Sequence, residues 1–267
     1  MAMRLIKLDG LQAIFSRRKH GDMSFAFARC AESKCQILNN RVQFSLCGFS
    51  LYSVRKSIII PHGFAPRLGH SDKILIILDE ISEKFDGIGI DQHGELVCDS
   101  VITNAINFPI ILPNRDCYPV VLYDSNKKMM AVVHSGRKGT LLNIVGKTLT
   151  AMQSLECNKE DIRSYIFPGI CGECYELKYL PPDFPEEFRE IATKARNGHI
   201  LLDLKKIIVH QLLAGGIRHI SFPEGEDECT CCTREPDDEP KYFSYFAYNN
   251  FKPGHSWGNN ALVAMLT

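Results

Sequence analysis

The strongest constraint on this chain is a succession of short aliphatic or β-branched runs, each broken by Gly, Pro, Asn or Asp and interleaved with two amphipathic stretches. Ser57–Ile60, Lys73–Leu78, Pro109–Leu112, Pro119–Tyr123 and Met129–His134 read as strands. In Thr140–Ser154, Leu141, Leu142, Val145, Leu149 and Met152 recur at helical spacing, and Thr140 is placed to cap the helix. Asp203–Ala214 repeats that spacing with Leu204, Ile207, Ile208, Gln211 and Leu212; Gly215-Gly216 ends it before a strand at Ile217–Ile220. Tyr242–Tyr245 and Ala261–Leu266 read as closing strands. Pro181–Pro185 joins two elements, and Pro223–Pro240, rich in Asp, Glu, Cys and Pro, reads as an exposed acidic loop. With no internal repeat and no long linker, the expectation is a single domain over residues 1–267, of α/β class, with a mixed β-sheet flanked by helices.

Composition narrows the function. Lys+Arg and Asp+Glu each total 31 of 267 residues, so no global charge attracts nucleic acid or an anionic membrane. The longest strongly apolar runs, Ile58–Ile60 and Ile74–Leu78, are far shorter than a membrane span. The N-terminus, charged at Arg4 and Lys7, lacks the apolar stretch of a secretory signal. A cytoplasmic protein is expected, a monomer or homodimer, with small-molecule rather than nucleic-acid or membrane partners. The 11 cysteines are an odd number in a chain too large for a disulfide scaffold, and they read as reduced thiols with some metal ligands among them.

The most informative segment is Val132-Val133-His134-Ser135-Gly136-Arg137-Lys138-Gly139-Thr140. A strand ends, two glycines frame a basic pair, and a helix begins. Backbone N–H groups of Gly136 and Gly139, with Arg137 and Lys138, would make an anion pocket with His134 at its edge. A tight turn with two solvated cations gives the same pattern. Gly146-Lys147-Thr148 is no phosphate loop, because Leu141 stands where that motif needs glycine. Asp116-Cys117-Tyr118-Pro119 leads into the preceding strand, so Cys117 and His134 can face one cleft as nucleophile and base or as two zinc ligands. A third ligand would come from His62 in Pro61-His62-Gly63 or His93 in Gln92-His93-Gly94.

Two CxxC pairs, Cys171–Cys174 and Cys229–Cys232, are candidates for a four-cysteine zinc, although the gap between them far exceeds that of a compact zinc ribbon. Burial as small hydrophobes, or a local redox pair involving Cys231, are the alternatives. Trp257, the single tryptophan, reads as a core-sealing residue.

The order of these motifs resembles the multicopper polyphenol oxidase-like, or laccase-domain, family, whose studied members are zinc-dependent purine nucleoside phosphorylases with adenosine deaminase activity. The likeness covers most of the chain. It begins with Phe15-Ser16, Arg18 and Gly21, then Asn40-Arg41, then Asp99-Ser100-Val101-Ile102-Thr103-Asn104. Asp116-Cys117-Tyr118-Pro119-Val120 and His134-Ser135-Gly136 with Lys138-Gly139 are its most specific parts. Pro168, Cys174-Tyr175-Glu176, Leu202-Asp203-Leu204, Cys229-Thr230 and Phe243-Ser244-Tyr245 follow in order. The resemblance implies metal ligation by the histidine of a Gln-Val-His-Gly motif, the cysteine of Asp-Cys-x-Pro and the histidine of His-Ala-Gly. These map to His62, Cys117 and His134, with His93-Gly94 as a rival for the first. Departures fall on the pocket rim: Arg137 for tryptophan, Phe167 for glycine, Asn114-Arg115 for Thr-Ala, Phe246 for arginine. Copper oxidation does not fit nine histidines without a His-x-His pair.

The expected function is phosphorolysis of adenosine, inosine or guanosine, with methylthioadenosine a further candidate, and deamination of adenosine as a side activity. Zn2+ would be held by His62, Cys117 and His134. Phosphate and substrate would be held by Arg18, Asn40, Gly136, Arg137, Lys138 and Gly139, with Cys117, His134, Lys138 and Arg18 carrying catalysis. The alternatives are a metal-independent Cys117–His134 hydrolase and a diverged purine- or partner-binding protein.

Overall fold

In the computed structural model, the described residues are 5–8, 10–18, 41–46, 49–54, 57–59, 64–78, 87–88, 90–91, 94–95, 97–195 and 197–267. The class is mixed α/β, and among the described residues most strands lie in two six-stranded mixed sheets rather than one, with a two-stranded and two three-stranded sheets beside them. The first sheet runs Leu5–Leu8, Leu11–Phe15, Asn260–Leu266, Ile110–Asn114, Phe64–Ala65, Gly87–Ile88. The second runs His219–Ser221, Ile162–Ile166, Tyr118–Asp124, Met129–Ser135, Ser100–Thr103, Ile74–Ile77.

Strand Tyr118–Asp124 shows how the layers form. Every residue in it is buried, so both faces of the second sheet are covered. Val121 and Tyr123 point into a core shared with Leu11, Phe15, Leu112 and Leu262 of the first sheet. Val120 and Leu122, offset by one residue, point to the opposite face and meet the helices Ile144–Ser154 and Leu204–Ala214. The order is therefore sheet, sheet, helices. Those helices bury the stripes read from the sequence: Val145, Leu149 and Met152 on one, Leu204, Ile207, Ile208 and Leu212 on the other.

Four local expectations change. The Thr140–Ser154 helix is two helices, Arg137–Leu141 and Ile144–Ser154, because Asn143 adopts the left-handed conformation (φ 58°, ψ 45°) and caps the second by accepting from Gly146 N. The Leu141/Leu142/Val145 spacing continues through the break, so periodicity could not reveal it. Tyr242–Tyr245 is not a strand, since Ser244 accepts from Ala247 N and starts the helix Tyr245–Asn249. Trp257 does not seal the core; it is half exposed, stacked on Arg115 with 4.3 Å between guanidinium carbon and ring centre. Pro223–Pro240 is exposed only in part: Asp237, Asp238 and Glu239 face solvent, whereas Glu224, Cys229, Thr230 and Cys231 are buried.

Asn143 gives a direct test. Asn143→Ala loses the cap and places a Cβ-bearing residue without a local hydrogen bond at positive φ, and should cost about 1–2 kcal/mol in urea unfolding. Asn143→Gly tolerates that backbone and should cost only about a few tenths. Equal losses in the two variants would contradict the assignment.

Candidate metal centre and active-site cavity

One end of the second sheet gathers four neighbouring strand termini. Ser100 lies opposite Val133 on one side and Ile74 on the other, and Tyr118 lies opposite Ser135. Asp99, the end of the His134 strand, Cys117 and the turn at residues 69–73 therefore meet at one edge. There His70, Cys117 and His134 each present a ligand atom, all within 4.8 Å of one another. One thiolate and two imidazoles at this separation fit a single tetrahedral ion with one position open, given bond lengths of about 2.0–2.3 Å.

Asp99 organises both imidazoles. Its side chain is fully buried, and its Oδ1 lies 2.9 Å from His134 Nδ1, leaving the other ring nitrogen for the metal side. The same carboxylate accepts from the backbone N–H of Gly69 (3.1 Å), His70 (3.0 Å) and Ser71 (2.7 Å) and from Ser71 Oγ (2.6 Å). It thus pins the turn that delivers His70, which sits at φ 50° with its ring 5.0 Å from that of His134. Glycines make the required room. A Cβ on Gly136 would stand 2.8 Å from Cys117 Sγ and 3.1 Å from His70 Cδ2, and one on Gly139 would stand 2.9 Å from Ser71 O.

The charges are mutually supporting. Burial pushes the Cys117 thiol up, but the positive His134 ring and hydrogen bonds from His134 and His70 outweigh it and bring the thiol to about 6. Burial pulls His134 down, yet the Cys117 charge and the bond to Asp99 raise it to about 9. Burial likewise opposes the Asp99 charge, and hydrogen bonds from His134 and Ser71 hold it at about 2. In the metal-free site these shifts favour a thiolate–imidazolium pair backed by a carboxylate; a metal would take the place of the proton on the outer nitrogen of His134.

The triad opens into a cavity of about 1050 Å³. Arg137 and Lys138 stand on one side of it, and Tyr175, Tyr245 and Phe246 supply aromatic surface. This volume is at the upper end of small-molecule pockets, which commonly span about 300–1,000 Å³.

Of the residues expected from sequence, Cys117, His134, Arg137 and Lys138 share this cavity, with Gly136 packed against Cys117 and His70 and Gly139 against the Ser71 turn. Arg18 is held elsewhere, 3.3 Å from Glu239, and the structure does not bring it to the triad. Asn40, His62 and His93 lie outside the described residues. The imidazole beside Cys117 and His134 is His70, a residue outside the motifs expected from sequence. It stands in Leu68-Gly69-His70-Ser71, without the Gln-Val before and the glycine after that marked the expected motif, so matching on His-Gly led to His62. The one local signal is its place just ahead of the apolar run Ile74–Ile77; the pairing of that strand with the one that Asp99 precedes is tertiary. Asp99 appeared only as part of a matched segment, and its duty as a shared acceptor is visible only in three dimensions.

Residues 58–266 match the family model described as multi-copper polyphenol oxidoreductase laccase. The purine nucleoside phosphorylase of Aquifex aeolicus (strain VF5) is 33% identical over 172 residues, covering 64% of this chain and 73% of that protein. Purine nucleoside phosphorylase Cj1217c of Campylobacter jejuni is 28% identical over 222 residues, covering 81% and 92%. Among solved structures, the hypothetical protein YfiH of Bacillus licheniformis superposes with a TM-score of 0.66 at 20% identity, covering 96% of this chain and 93% of that one, which establishes a shared fold. Among the described residues no helix is long and apolar enough to cross a membrane.

Proposed function

Because the chain belongs to the multi-copper polyphenol oxidoreductase laccase family, we propose that it is a zinc-dependent purine nucleoside phosphorylase, converting a purine nucleoside and phosphate to free purine and ribose 1-phosphate. The observation that carries this reading is the His70–Cys117–His134 triad at the end of a cavity that also holds Arg137, Lys138 and three aromatic rings. The names of the relatives from Aquifex and Campylobacter support the same activity. Zinc suits a set of one thiolate and two imidazoles, and the copper chemistry of the family's name does not suit so few imidazoles.

Bound by His70, Cys117 and His134, zinc would supply Lewis-acid charge at the wall of the cavity. The protein's own groups account for the rest. Arg137 and Lys138 place two positive charges where phosphate must be oriented toward the ribose anomeric carbon. Attack by a phosphate oxygen forms the new C–O bond as the glycosidic C–N bond breaks. The anion beside the sugar stabilises its oxocarbenium-like charge, and the purine departs with the bonding electrons. Tyr175, Tyr245 and Phe246 offer faces on which the base can stack, a contact every purine can make.

The test is purine release from inosine by zinc-replete protein with and without phosphate. Hypoxanthine and ribose 1-phosphate should appear only with phosphate, and a parallel adenosine reaction reports any inosine formed by deamination. Cys117→Ala should lose the metal of this site and about 10³-fold or more in rate, the scale of several kcal/mol of transition-state stabilisation. Chelator-resistant turnover abolished by alkylation would instead identify a Cys117–His134 hydrolase. Nucleoside binding without turnover would identify a binding protein.

A further inference from the structure

We infer that Cys171, Cys174, Cys229 and Cys232 form a second, structural zinc site that fastens two loops behind the Cys117 turn. The inference is independent of the proposed activity. The four thiols present their sulfurs within 4.8 Å of one another, with Cys171 Sγ 4.0 Å from Cys232 Sγ. In a tetrahedral zinc tetrathiolate, sulfurs about 2.3 Å from the metal stand about 3.8 Å apart, whereas a disulfide requires about 2.05 Å. All four are free thiols.

The backbone around them is arranged for ligation. Cys171–Cys174 closes a tight turn, with Cys174 N and Tyr175 N both donating to Cys171 O at 3.1 and 2.9 Å. Cys229 Sγ accepts from Cys171 N (3.2 Å) and from Cys231 N (3.3 Å), bonds that stabilise a thiolate more than a thiol. The two loops meet through a bridge between Gly169 and Cys229 and the bond from Thr230 N to Gly169 O (3.0 Å). Zinc with four thiolates carries two net negative charges, and Lys252 Nζ, 3.2 Å from Cys231 Sγ, places a cation beside them. Plain burial as small hydrophobes does not describe the group, since Cys232 is exposed and Cys171 and Cys174 are only half-buried.

The position gives the site a role. Ile170 N donates to Asp116 O and Thr230 Oγ1 to Asp116 Oδ1, both at 2.8 Å, and Asp116 precedes Cys117. Ile170 and Tyr175, which flank the first CxxC pair, also line the cavity. A metal clamp on loops with little regular structure would hold the Cys117 turn and one cavity wall in place.

Zinc content of protein purified without chelators tests this. The parent should hold two zinc ions per chain, and Cys174→Ser and Cys232→Ser one each. Cys117→Ala separates the sites, because its remaining zinc should show four sulfur neighbours at about 2.3 Å by X-ray absorption. Cobalt loaded into Cys117→Ala should give the intense charge-transfer bands of a tetrathiolate, a readout that survives even if the cysteine variants fold poorly. If the proposed triad is not a metal site, Cys117→Ala changes nothing while Cys232→Ser still removes one zinc. The inference is overturned if Cys117→Ala carries no sulfur-ligated metal, if both serine variants keep the parental zinc content, or if mass spectrometry finds a disulfide among these residues.

Discussion

Asp99→Asn should weaken zinc binding at the His70–Cys117–His134 site by about 10–100-fold and cost about 3 kcal/mol of stability, although the substitution preserves shape. The reason is the count of donors. Oδ2 accepts from Gly69 N, Ser71 N and Ser71 Oγ, while Oδ1 accepts from His70 N and lies against His134 Nδ1. An asparagine must put an NH2 group at one of those two positions. Placed at the Oδ1 position, it faces the His70 N–H and can meet His134 only if Nδ1 gives up its proton. The proton then sits on the ring nitrogen whose lone pair must bind the metal. Placed at the Oδ2 position, it leaves Gly69 and Ser71 without an acceptor and releases the turn that carries His70. Either orientation disables one imidazole. Competition against a chromogenic chelator measures the first effect, and urea unfolding of the metal-free variant the second. A variant within twofold of the parent in zinc affinity would show that Asp99 does not position the ligands.

The sequence reveals contacts that are close along the chain and hides those made by tertiary packing. Cys117 and His134 are legible as a pair because one immediately precedes the first and the other lies at the end of the second of two adjacent antiparallel strands, Tyr118–Asp124 and Met129–Ser135, joined by a short turn. The helical stripes at Val145–Met152 and Leu204–Leu212 were legible because each buries one face against the same sheet. His70 was not. It reaches the site through a parallel strand pairing and through a carboxylate 29 residues further on, neither of which leaves a local pattern. The division into two sheets was equally hidden, since the strand Asn260–Leu266 pairs with Leu11–Phe15 from the other end of the chain. For the two CxxC pairs the long gap counted against a shared site. The parallel bridge at Gly169 and Cys229 removes that objection, because it is the pairing of the two loops, not chain proximity, that brings the thiols together.

Gly136→Ala separates the two duties this glycine can have and should produce the sharper loss. Its backbone lies at φ −81° and ψ 172°, which any residue adopts, so no conformational strain is expected. What alanine adds is one methyl group, 2.8 Å from Cys117 Sγ and 3.1 Å from His70 Cδ2. A carbon cannot remain that close to sulfur, so the thiolate or the imidazole must move, and a displacement near 1 Å at a reacting centre costs about 10²-fold in rate. The expected variant folds with a near-parental thermal midpoint, loses the triad's zinc and falls about 10²-fold or more in phosphorolysis. Alanine keeps the backbone N–H, so a glycine serving only to let that N–H reach phosphate would behave differently. Zinc would then stay bound and the KM for phosphate alone would rise. Zinc content measured beside kcat and the phosphate KM distinguishes the two, and retained zinc with parental kinetics would remove Gly136 from both roles.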